Sequence, residues 1–143
     1  CPPDGANVKK TIYSPVPLTW RDLPDALSRW IESLRSGRFW IMLLDNVKAS
    51  ERVRDVVMKA VVWLEMKDFP NEAQRLDDAV QSMREAVFAC RQAMAAHGPS
   101  KAQDVPEVRG LRDAWVAAVE NLRTVVEQVM ADVPYEVWEG IDG

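Results

Sequence analysis

Cysteine and histidine are scarce in this chain, with two Cys and one His among 143 residues. Cys1 and Cys90 lie far apart and are too few for a disulfide scaffold. Together with His97 they cannot supply the three or four closely spaced ligands of a zinc site. No Glu-x-x-His pair occurs, which removes the di-iron chemistry of carboxylate bundles. Six glycines are scattered at helix ends, connections and termini, and none forms a phosphate-cradling pattern. Long apolar runs are missing as well: the longest, Phe39 to Leu44, is far short of the roughly 20 residues that span a bilayer. An excess of positive charge is also lacking. Eighteen Lys and Arg face 22 Asp and Glu, a formal net charge of −4, which argues against nucleic acid as the main partner.

What remains is a globular composition: 48% apolar and 28% charged residues, too apolar for a disordered chain and of a length for one domain. Cys1 in the first position matches a processed bacterial lipoprotein carrying a lipid anchor, and equally a trimmed chain; the preceding residues would decide. The expectation is a soluble domain, with a cytoplasmic location favoured over a lipid-anchored or secreted one.

Residues 1–22 read as an extended arm, because Pro2, Pro3, Pro15 and Pro17 remove backbone donors and bias their predecessors away from helix. The pattern from 23 to 133 is all-α. A first helix over about 23–36 places Leu23, Ala26, Leu27, Trp30, Ile31 and Leu34 on one face, with Asp22 to cap it and Pro24 in its first turn. The apolar run Phe39–Leu44 does not by itself distinguish helix from strand. Trp40, Leu43, Leu44 and Val47 fit a helical stripe, so a helix over 38–69 is expected, with a break near 48–50 at Ser50 as the main variant. Val56, Val62, Trp63 and Met66 widen its apolar surface and mark it as the central helix.

A third helix over 71–97, capped by Asn71, carries Ala73, Leu76, Val80, Met83, Val87, Cys90 and Met94 at alternating spacings of three and four, a heptad seam. Ala79, Ala86 and Ala93 run beside it. A fourth over 106–131 repeats the alternation through Val108, Leu111, Trp115, Ala118, Leu122, Val125 and Val129, flanked by Val119, Val126 and Val133. The predicted architecture is an antiparallel four-helix bundle with heptad-type packing, an extended proline-rich arm and an acidic tail over 134–143.

No catalytic set emerges. His97 reads as a residue at a helix C-terminus. Asp45 interrupts an apolar run and is the one carboxylate placed to act as a base, although Asp45 and Asn46 are expected on the solvent side. Cys90 reads as an inert core thiol. The basic positions form no patch: residues 71–97 and 106–131 each hold three Arg against four acids.

Tryptophan is the unusual feature, with six in the chain. Trp20 and Trp138 fall outside the regular helices, so Tyr13, Trp20, Tyr135 and Trp138 are the candidates for contact with a partner, unless arm and tail fold back to seal the bundle. The expected function is a non-enzymatic protein–protein interaction module, using a bundle face, these aromatic ends, or both. A homo-oligomeric scaffold sharing its seams between chains is the first alternative. A small apolar ligand carrier, with Trp40, Trp63, Met66 and Met83 around a cavity, is the second. No cofactor or metal is expected, and an enzyme ranks last.

Overall fold

The computed structural model describes residues 12–13, 17–98 and 104–142. These residues form four α-helices packed against one another, and no strand occurs among them. The helices are α1 (Leu23–Leu34), α2 (Leu43–Met66), α3 (Pro70–His97) and α4 (Pro106–Asp132); a short 3-10 helix, Tyr135–Trp138, follows. Most of the arm, residues 1–11 and 14–16, lies outside the described residues. No described helix is long and apolar enough to cross a membrane.

Every predicted apolar position of the first helix is buried. Asp22 does not cap it with its side chain; its carboxylate instead accepts the Thr19 hydroxyl at 2.9 Å. The helix expected from residue 38 begins only at Leu43, and residues 37–42 form turns. Phe39 and Trp40 are both buried, adjacent positions that a helix would set about 100° apart. The turn lets both rings enter the core, where Phe39 meets Trp40 and Trp115 edge-to-face at 4.9 and 5.3 Å.

From Leu43 the helix runs unbroken to Met66. Ser50 sits inside it, buried, and donates its hydroxyl to the Val47 carbonyl at 2.6 Å instead of capping a second helix. Nor is α2 the central helix: Val62 and Met66 are exposed. The connection to α3 is Lys67–Phe69, with Asp68 in the left-handed region at φ 69°. Pro70 opens α3 rather than merely ending α2, because its missing N–H costs nothing in a first turn; Asn71 is therefore inside the helix, not its cap.

The third-helix stripe is buried from Ala73 to Cys90, with Met94 half-buried. In α4 four of the seven seam positions, Val108, Trp115, Leu122 and Val129, are buried, and the flanking valines replace the others. Trp115, Val119, Leu122, Val126, Val129 and Val133 are inside, whereas Leu111, Ala118 and Val125 are only partly covered. The most extensive pairing is α3 with α4, then α2 with α3, then α1 with α4; α1 and α2 touch far less.

Both ends of the described chain return to this core. Ile12 is buried, and its carbonyl accepts the Arg52 guanidinium at 2.5 Å. Trp138 and Ile141 are buried, the Trp63 indole donates to the Val137 carbonyl at 2.6 Å, and the Asp142 carboxylate accepts the Trp20 backbone N–H at 2.8 Å.

Candidate functional site

The four terminal aromatics separate into two kinds. Trp20 and Trp138 are 2% and 5% exposed and pack on each other with ring centroids 5.0 Å apart. They are spent on sealing the bundle and present no surface to a partner. Tyr135 is exposed at 66%, with the Arg21 guanidinium 5.5 Å above its ring. Tyr13 is partly exposed, and its hydroxyl is held by Ser33 at 3.0 Å and by the Asn46 side-chain oxygen.

Asn46, expected beside Asp45 on the solvent side, is buried to 1% exposure. Its oxygen accepts the Trp30 indole N–H at 3.1 Å as well as the Tyr13 hydroxyl, and its amide donates to the Phe39 carbonyl at 3.4 Å. One amide thereby satisfies a buried indole and gives the phenol a second partner beside Ser33. Burial pushes the Tyr13 phenol above its ordinary value, against the opposing effect of its hydrogen bonds. Asp45 is exposed in the first turn of α2, where the helix dipole favours a carboxylate. A cleft of about 460 Å³ runs beside it, lined among others by Tyr13, Lys48 and Arg52.

Trp40, Trp63, Met66 and Met83 differ in burial. Trp40 and Met83 are core residues, Trp63 is partly exposed beneath Lys67, and Met66 is 72% exposed at the end of α2. Cys90 is fully buried, and burial raises its thiol to about 12. His97 is exposed in the last turn of α3. Among the described residues, no group of three His, Cys, Asp or Glu is placed to hold a metal ion.

The feature that sequence reasoning missed lies between α2 and α3. A groove of about 170 Å³ is walled by Val47, Ser50, Glu51 and Arg54 from α2 and by Arg84, Val87, Phe88 and Arg91 from α3. Three arginines line it although neither helix carries a basic run. Phe88 is 60% exposed between Arg84 and Arg91 in sequence. On α2, Leu44, Val47, Glu51 and Arg54 follow one another at spacings of three, four and three, so Leu44, 75% exposed, continues the same stripe. Comparison with family models, curated proteins and solved structures finds no match to this chain.

Proposed function

We propose that this chain is a non-enzymatic protein-interaction module: an antiparallel helical bundle with heptad-type packing that presents the α2–α3 face to another protein. The antiparallel course is supported by long-range pairs. Arg75, early in α3, reaches Gln128 and Asp132 at the end of α4, while Ser28 and Arg35 of α1 meet Arg123 and Glu120 in descending order. The observation that carries the reading is the exposure of Leu44 and Phe88 on one face, against a bundle whose other large apolar side chains are mostly buried. Exposed apolar side chains beside arginines are what interface anchors look like.

A homo-oligomeric scaffold would have to use exposed positions such as this face, because the α3 stripe is already covered within one chain. The test is a photoreactive phenylalanine analogue placed at Phe88, at Leu44 and, as control, at exposed Thr124 of α4, with crosslinking in the native cell. Discrete adducts from 88 and 44 but not from 124 are expected. Adducts from all three alike, or from none, overturn the reading.

A further inference from the structure

We propose that the α2–α3 groove takes an acidic amphipathic helix of a partner protein, with two carboxylates about two turns apart on either side of one apolar anchor. This deepens the interaction-module reading and rests on it.

Arg29, Arg35, Arg54, Arg75, Arg112 and Arg123 each have a carboxylate within ion-pair distance. Arg84 and Arg91, by contrast, make no hydrogen bond or ion pair with any described residue. Arg38, Lys48 and Lys59 also lack a carboxylate partner among the described residues, but only Arg84 and Arg91 stand on either side of an exposed phenylalanine in one groove. Arg84 and Arg91 are seven positions apart on α3, about 10 Å along the axis, and Phe88 stands between them.

A guanidinium presents parallel N–H donors matched to a carboxylate, so each arginine specifies one acid on the partner. Phe88, with Val47 and Val87 beneath the groove, specifies an apolar side chain between those acids. A cleft between two helices is where a third helix lays its side-chain ridge, and an i, i+7 pair with an anchor at i+3 or i+4 meets all three groups from one face. Glu51, the one carboxylate lining the groove, disfavours a run of acids at its end and limits the partner to spaced ones. The groove lies along helix sides, with no helix N-terminus or glycine turn at which backbone donors would cradle a phosphate.

The experiment measures fluorescence anisotropy of a labelled helical peptide with two glutamates two turns apart around a leucine, titrated with the full chain. The same peptide with lysines in place of the glutamates is run beside it. The acidic peptide is expected to bind and to weaken with added salt. Affinity should fall about tenfold or more in Arg84→Glu/Arg91→Glu and in Phe88→Ala, and stay within about twofold in Arg29→Glu/Arg112→Glu, which makes the same charge change on α1 and α4. Circular dichroism verifies that each variant is folded. Equal binding of both peptides, no binding, or full binding by the groove variants overturns the proposal. Self-association of the wild-type chain that Phe88→Ala abolishes overturns it too, in favour of a second copy as occupant. Failure of the peptide with discrete crosslinks from position 88 removes the acidic helix and keeps the interaction module; failure of both removes both.

Discussion

The Trp138 indole lies against the Trp20 indole, ring centroids 5.0 Å apart and tilted by 34°, so the last described segment of the chain is packed on the residues that lead into α1. Neither indole N–H finds a partner among the described residues, so the contact rests on ring area rather than on polar bonds. The nearby bond from the Trp20 backbone N–H to Asp142 supplies the polar component.

Trp138→Ala should therefore destabilise the fold by about 3–5 kcal/mol, as for other buried large aromatics. Deleting the residues after Val133 should cost at least as much, because Ile141 leaves with Trp138. Urea unfolding followed by tryptophan fluorescence reads both, and a stability within about 0.5 kcal/mol of wild type would mean the tail does not hold this position.

Asn46 is the second sensitive position. Asn46→Leu strands the buried Trp30 N–H, at about 1–3 kcal/mol, and takes one of two partners from the Tyr13 hydroxyl, which keeps Ser33. Tyr13→Phe removes one partner only and should cost about 1 kcal/mol. The ratio of the two losses in chemical denaturation checks the shared acceptor; equal losses would contradict it.

The methionines discriminate core from surface. Met83→Ala should lose about 2–5 kcal/mol, whereas Met66→Ala should remain within about 0.5 kcal/mol. Thermal melts of the two variants are sufficient, and a costly Met66 variant would place that side chain in a packed site.

Stability should also fall on the alkaline side. The Cys90 thiol goes from an ordinary 9.0 to about 12 on folding, and Tyr13 is raised as well. Between pH 9 and 12 the unfolded chain gives up the thiol proton and the folded chain keeps it. The stabilisation is thus complete below pH 9 and lost as pH climbs toward 12. Cys90→Ala should be less stable at neutral pH and show a shallower decline above pH 9; parallel curves for variant and wild type would refute the link.

Much of the fold was legible because its helices carry long, regular apolar stripes, and the first and third come out with the predicted faces. Residues 37–42 were not, since a short apolar run satisfies helix and turn equally until Trp115 is known to stand opposite Phe39. Asn46 reads as solvent-facing by polarity; its burial depends on Trp30 and Tyr13, which only the folded chain brings together. The groove was illegible for a related reason. Arg54 and Arg84 belong to different helices, and their convergence is a product of how α2 and α3 pair. Phe88 alone carried a signal, being a large aromatic just beside the α3 stripe.

Tyr13 has one further consequence. Its hydroxyl touches Ser33 of α1 and Asn46 of α2, two helices that make little contact with each other. With the Trp30–Asn46 bond, this clasp supplies hydrogen bonds across that boundary. Local opening begins where few contacts resist it, so the bundle should breathe between α1 and α2 while α3 and α4 stay shut. Hydrogen exchange at the Trp30 indole then becomes a gauge of the arm: with Tyr13 seated the proton is slow to exchange, and with the arm displaced it is released first.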